Sequence, residues 1–282
     1  MRQHLLTFAL LVLCLGACTA PGSRLVILHT NDTHSHLDPL RDGTGGVIER
    51  AAFLDSVRAK RGEENVLLLH AGDFSQGTSY FTTLNGDLEI EIINAMGYDC
   101  VTLGNHEFDN GLEELARRLT SIHCPVVCAN YDFTPFEAGK YITPYTIVHK
   151  AGLSIGIIGL LTDVSSVVDR ATADRMPSLG TNEEIANKWA KYLKEEALCD
   201  KVILLTHIGY EEDCALAPEL HDVDLIVGGH SHTFLEEPTI LKDADGKPLP
   251  VITDGCWGLE MGEFSFWPVR NLRPAFIRYE CK

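Results

Sequence analysis

Five times along this chain a short apolar run ends on a cluster of Asp, Asn, Glu or His, and that recurrence constrains the fold more than any other feature. Residues 25–29 lead into Asn31-Asp32-Thr33-His34, residues 66–70 into Gly72-Asp73, and residues 100–103 into Gly104-Asn105-His106-Glu107. Residues 202–206 lead into His207, and residues 225–227 into Gly228-Gly229-His230-Ser231-His232. Short apolar runs bounded by turn residues read as buried strands, and 126–129 and 155–160 have the same character. Between them, 46–60, 88–96, 111–121 and 182–198 place apolar residues every three or four positions with charges elsewhere, as amphipathic helices do. Strands alternating with helices build a largely parallel sheet, and ligands of such sheets lie beyond the carboxyl ends of the strands. The five clusters are therefore expected on one edge of the fold. After residue 233 the pattern turns to strands and hairpins at 251–253, 262–267 and 276–279, with a turn at Asp245-Gly246. Antiparallel edges or a second packed sheet should result.

The 282 residues, 45% of them hydrophobic, hold enough apolar material for one large α/β domain, expected over 25–282. A formal charge of −17, from 40 acidic against 23 basic residues, excludes a passive binder of duplex nucleic acid, which would cluster Lys and Arg against phosphates. Any phosphate chemistry here must draw its positive charge from bound metal ions. At the N-terminus, Arg2 precedes an apolar run too short to span a bilayer, which marks 1–17 as a signal peptide. Leu15-Gly16-Ala17-Cys18 resembles the lipobox of bacterial lipoproteins, in which the Cys is acylated. Cys18 is on that resemblance a lipid anchor, 18–24 a short linker, and the chain an exported, membrane-anchored protein facing the periplasm or the cell surface. Seven further cysteines, at 100, 124, 128, 199, 214, 256 and 281, leave at least one unpaired, and most are expected as small buried residues.

Carboxylate, imidazole and amide donors together suit Zn, Mn or Fe better than Mg or Ca, which favour all-oxygen sites. With several imidazoles and a carboxylate able to bridge, two divalent ions could sit roughly 3.5–4 Å apart and hold the attacking and leaving oxygens of a phosphoryl transfer. Water bridging them would be acidified toward neutral pH and attack phosphorus in line.

Asp32-Thr-His34, Gly72-Asp73, Gly104-Asn105-His106-Glu107, His207 and Gly229-His230-Ser-His232, in that order, resemble the calcineurin-like metallophosphoesterase superfamily. Longer stretches, His29-Thr-Asn-Asp32-Thr-His34-Ser, Ala71-Gly-Asp73-Phe-Ser-Gln76-Gly-Thr78 and 98–111, look like the catalytic domain of the bacterial 5′-nucleotidases. The resemblance implies a four-layer α/β/β/α sandwich of two mixed sheets flanked by helices. It also implies ligand roles: Asp32, His34 and His232 for a first metal, Asn105, His207 and His230 for a second, and Asp73 between them. His106 would stabilise charge on the phosphoryl group or protonate the leaving oxygen, oriented by Asp109. An imidazole held by a carboxylate favours its protonated form, which suits that donation.

The activity implied is 5′-nucleotidase-like hydrolysis of a small phosphorylated substrate, with UDP-sugar or cyclic 2′,3′-nucleotide hydrolysis as alternatives. Hydrolysis of a sulfur-linked group and a non-catalytic metal-binding scaffold are further readings, but every ligand position and His106 are intact. Larger relatives carry a second domain that selects the nucleotide. The residues after 265 are too few for it, so a C-terminal specificity domain is expected to be absent and a separate protein could supply it. Several polar residues stand near the motifs. His29 and His70 lie inside apolar runs and read as core. His36 reads as a donor behind the ligands, a substrate contact or a solvated side chain, and Glu107 as an orienting group or a solvated one. Asp38, Gln76 and Thr78 read as loop-shaping, and Trp189 as core.

Overall fold

The computed structural model describes residues 25–166, 168–266 and 275–280, so the signal-like segment, Cys18 and Cys281 lie outside the described residues. The first strands are β1 (Val26–Thr30), β2 (Val66–His70), β3 (Cys100–Thr102), β4 (Val126–Val127), β5 (Ile142–Thr143), β6 (Tyr145–Lys150) and β7 (Leu153–Leu161). The chain continues with β8 (Lys201–His207), β9 (Leu225–Val227), β10 (Thr239–Lys242), β11 (Pro248–Ile252), β12 (Glu260–Ser265) and β13 (Ala275–Glu280). The helices are α1 (Val47–Arg61), α2 (Ser79–Leu84), α3 (Asp87–Met96), α4 (Gly111–Leu119), α5 (Arg170–Ala173), α6 (Asn182–Glu195) and α7 (Tyr210–Leu216).

Two sheets form. The first runs β13-β12-β1-β2-β3-β4-β5 and the second β10-β11-β9-β8-β7-β6. β1 to β5 pair in parallel, while β12 and β13 add antiparallel neighbours at one edge. In the second sheet β7, β8, β9 and β11 are parallel, and β6 and β10 cap the two edges antiparallel. The tail after residue 233 thus divides between the sheets: β10 and β11 form the expected antiparallel hairpin across the turn at Asp245-Gly246, and β11 also pairs in parallel with β9.

Side chains alternate across each strand, so β1 serves two interiors at once. Val26 and Leu28 pack with Leu54 and Val57 of α1, Ile90 and Ile93 of α3 and Leu112 and Leu115 of α4. Leu25 and Ile27 face the other way, meeting Ile155, Ile157, Ile203, Leu205 and Val227 between the sheets. The outer face of the second sheet, with Val202, Leu204 and Ile226, is covered by Ile185, Ala186, Ala190 and Leu193 of α6. Helix, sheet, sheet, helix is the four-layer α/β/β/α order expected from the sequence.

Several boundaries differ from the sequence pattern. The helix expected over 182–198 ends at Glu195 because Leu198 turns left-handed, at φ 55°, and Cys199 N–H donates to Leu193 O at 2.8 Å. β6 escaped the pattern because Tyr-Thr-Ile-Val-His-Lys mixes polar residues among its apolar ones and stays at least partly exposed along its length, as an edge strand does. Trp189 packs against the outer core as expected. The six described cysteines are free, and four of them, Cys100, Cys128, Cys199 and Cys256, are buried. No helix among the described residues is long and apolar enough to cross a membrane.

Candidate metal centre

The five clusters do converge. β1, β2 and β3 of the first sheet and β8 and β9 of the second all end at one edge, where His34, Asp73, Asn105, His106, His230 and His232 line a cleft of about 520 Å³. Backbone hydrogen bonds join the first two loops: Asp32 N–H donates to Gly72 O (2.9 Å), His34 N–H to Asp73 O (3.0 Å) and Ser35 N–H to Phe74 O (3.1 Å). Asn31 ties in the end of β11. Its Nδ2 donates to Asp32 Oδ2 (2.7 Å) and Gly255 O (2.6 Å), and its Oδ1 accepts from Asp254 N–H (2.8 Å).

Asp32, His34 and His232 form one group of potential ligands, and Asp73, His207 and His230 a second, each with its ligand atoms within 4.8 Å of one another. Asp73 Oδ2 reaches both groups, standing 3.0 Å from His207 Nε2 and 3.8 Å from His34 Nε2. Asp32 Oδ1 lies 3.4 Å from His232 Nε2 and 3.9 Å from His34 Nε2. Donors bound at about 2.0–2.2 Å to a common ion stand roughly 3–4 Å apart, so these spacings fit divalent metals. Asn105 Oδ1 is buried with no hydrogen-bond partner, a cost of about 1–3 kcal/mol unless something fills the place beside it. His207 Nδ1 lies 2.7 Å from Ala71 O, a contact that fixes a proton on Nδ1 and makes Nε2 the nitrogen that would serve a metal once its own proton is displaced.

The backbone is bent to make this possible. Asp32, His34, Asp73, His230 and His232 all have positive φ, between 46° and 81°. Such conformations cost of order 1–3 kcal/mol each and persist only where the surroundings over-determine them. Two glycines allow the loops to close. A Cβ on Gly104 would overlap Asp73, and one on Gly229 would sit 2.5 Å from Ala71 O and 3.0 Å from Asp32 Oδ2.

Charge balance at the centre is set by proximity. Burial alone would discharge His207, yet the Asp73 and Asp32 carboxylates hold it protonated up to about 10. A hydrogen bond to Asp32, with a further one to Cys256, raises His232 to about 10. Burial opposes ionisation of Asp32 and Asp73, but the His207 imidazole beside them keeps both below the ordinary carboxylate value. Desolvation lowers His34 and His230, leaving them as neutral donors. Divalent cations would replace the protons now shared in this cluster, so affinity for them should be pH-dependent.

His106 and Asp109 form a pair at the rim, with Nδ1 3.0 Å from Oδ2 and 3.2 Å from Oδ1. The Asp109 contact raises the His106 pKa. Its backbone N–H donates to Asp73 Oδ1 at 2.9 Å, which fixes the carboxylate that lies between the two groups. Glu107, which the sequence left between an orienting and a solvated role, is fully buried and accepts N–H bonds from Asp73 (2.9 Å), Gly104 (2.6 Å) and Ser75 (3.0 Å). It shapes the loop that carries Asp73. Arg118 anchors the other side, donating to Glu107 O (2.6 Å) and Ser75 Oγ (2.7 Å).

His29 and His70 are buried in the core, where desolvation pushes each down to about 3, and His70 Nε2 also contacts Thr33 Oγ1 at 3.1 Å. Thr78 caps α2 and donates to Ser35 O, and Asp38 accepts from Tyr80 Oη, so both shape loops. Gln76 and His36 line the cleft, together with Trp257, which the sequence did not single out.

Asp213 of α7 carried no sequence signal. It is fully buried, accepts from Thr206 Oγ1 at 2.7 Å, and its other oxygen has no hydrogen-bond partner. Burial pushes its pKa up to about 8. The folded state therefore keeps a proton that the unfolded chain, titrating near 4, releases. This contribution to stability is fully present below about pH 4 and lost as pH rises toward 8, at up to about 1.4 kcal/mol per pH unit. Thermal denaturation between pH 5 and 8 should show a Tm falling with pH, and Asp213→Asn should flatten that slope. An unchanged slope would refute the assignment.

Comparison with known proteins follows the same lines. A family model described as calcineurin-like phosphoesterase matches residues 25–234. The 5′-nucleotidase of Bos taurus is 34% identical over 91% of this chain and 49% of its own length. The crystal structure of a 5′-nucleotidase precursor from Thermus thermophilus superposes with a TM-score of 0.82 at 34% identity, over 91% of this chain and 54% of that one. The NAD nucleotidase of Haemophilus influenzae gives a TM-score of 0.75 at 32% identity, over 86% and 52% of the two chains. The chain spans about half the length of these proteins.

Proposed function

The chain belongs to the calcineurin-like phosphoesterase family, and from that premise we propose that it is a 5′-nucleotidase-like phosphomonoesterase using two divalent ions. Asp32, His34 and His232 would hold one ion and Asn105, His207 and His230 the other, with Asp73 shared. The mixed nitrogen and oxygen donor set suits Zn, Mn or Fe. When bound, the ions supply the positive charge that an acidic chain lacks and activate water for attack on phosphorus. The observation that carries this reading is the pair of ligand groups joined at Asp73 Oδ2.

The protein's own groups account for the rest. With Nδ1 held by Asp109, the opposite nitrogen of His106 is the one able to donate a proton to the leaving oxygen or to a phosphoryl oxygen. Glu107 and Arg118 keep the Asp73 loop in place, so the centre does not have to reorganise during reaction. Support for a nucleotide substrate comes from the 5′-nucleotidases among its relatives. Metal-loaded protein should release inorganic phosphate from AMP and from an aryl phosphate. Chelation should abolish release, and added Mn2+ or Zn2+ should restore it. Loaded protein that cleaves neither ester would overturn the proposal.

A further inference from the structure

Trp257 is the large aromatic side chain on the rim of the cleft, and its placement is built rather than incidental. Its indole stacks on the imidazole of His36, with ring centroids 4.6 Å apart and planes 15° from parallel. With His36 covering one face, the residue is still 39% exposed, so the opposite face and edge are open beside His34, His106 and His232. The backbone adopts φ 60° at Trp257, a left-handed conformation that is a true outlier for a bulky residue. Trp257 N–H donates to Asp32 O at 2.7 Å, which fastens it to the first ligand loop. Arg50, itself buried, reaches His36 O at 3.4 Å, Trp257 O at 3.4 Å and Gly258 O at 3.2 Å. One guanidinium thus holds the backbone of both stacked residues. The ring of His36 is set in turn by the 2.9 Å contact of its Nδ1 with His34 O.

Nothing in the metal chemistry needs an indole at this place. A tryptophan held in a strained conformation, backed by a second ring and open toward the phosphoryl site, has the form of a stacking surface. We infer that Trp257, backed by His36, is a platform for the planar aromatic part of the substrate, the base of a nucleotide or the ring of an aryl phosphate. The inference rests on the phosphoesterase reading of the same cleft and adds selectivity to it. Esters with an aromatic group would be favoured over esters with a sugar or glycerol alone.

The test compares kcat/KM for AMP with kcat/KM for ribose 5-phosphate, which lacks the base. Trp257→Leu keeps apolar bulk but loses the aromatic face, and it should lower the AMP to ribose 5-phosphate ratio about five- to tenfold, carried by KM. Trp257→Phe should restore most of the ratio. Equilibrium binding of adenosine, which has no phosphate, should weaken in Trp257→Leu and recover in Trp257→Phe. An unchanged ratio together with unchanged adenosine binding would overturn the platform while leaving the phosphoesterase reading intact. Wild-type protein that hydrolyses neither phosphate would instead strike that reading, and adenosine binding alone would then decide the platform. A shared melting temperature between wild type and the Leu variant separates loss of the aromatic face from loss of fold.

Discussion

His106→Ala should lower kcat by about 10²- to 10⁴-fold while leaving the metal content and the melting temperature of the protein unchanged. The side chain belongs to neither ligand group, and its Nδ1 is committed to Asp109 at 3.0 Å. Truncation therefore removes a proton donor and a positive charge from the rim without opening the centre. The backbone N–H that supports Asp73 stays in place, since alanine keeps it. Asp109→Asn should give a smaller loss with a distinct signature. Asp109 is the largest cause raising the His106 pKa, so its removal lets the imidazole deprotonate at lower pH. The alkaline limb of the kcat profile should move toward acid. Turnover by His106→Ala equal to wild type would remove His106 from the mechanism.

The second large effect is expected at Asp73. Its carboxylate lies between His207 Nε2 at 3.0 Å and His34 Nε2 at 3.8 Å, closer to each than the 3.9 Å at which Asp32 Oδ1 stands from both. Asp73→Ala should lower kcat/KM by about a thousandfold or more, since the several kcal/mol that metal ions contribute correspond to tenfold per 1.4 kcal/mol. His207 would lose the carboxylate that does most to keep it charged, and its pKa should fall. The Glu107 carboxyl, raised to about 6 by burial and then by Asp73, should become easier to ionise. The fold should survive, because the strands that carry the loop are held by their apolar residues. Activity near wild type in Asp73→Ala would contradict a shared carboxylate.

Much of this centre was legible in the sequence because its chemistry and its position share one cause. Each cluster of candidate ligands follows a buried strand, and strands are the easiest elements to read from apolar runs. Five such ends on one edge then follow from the parallel layout. The supporting residues were not legible. Arg117 and Arg118 are neighbours on α4, yet Arg117 pairs at the surface with Asp87 and Glu114 while Arg118 is 1% exposed and holds Glu107. Nothing local distinguishes two adjacent arginines on an amphipathic helix.

Trp257 escaped for a related reason. It meets His36 only because the segment after β11 folds back onto the first loop through Asn31, a contact between residues more than two hundred positions apart. Asp213 likewise gains its character from complete burial against Thr206, which no spacing rule reports. The tail after residue 233 reads as strands in the sequence and forms them, but which sheet each strand joins depends on pairing over long separations.

Metal content measured by mass spectrometry on the whole chain, after loading with Mn2+ or Zn2+ and removal of free ion, addresses the two-ion centre most directly. Two ions per chain are expected in the wild type, two in His106→Ala, and fewer in Asp73→Ala. One ion or none in the wild type, or two retained without Asp73, would contradict a pair of sites joined by that carboxylate.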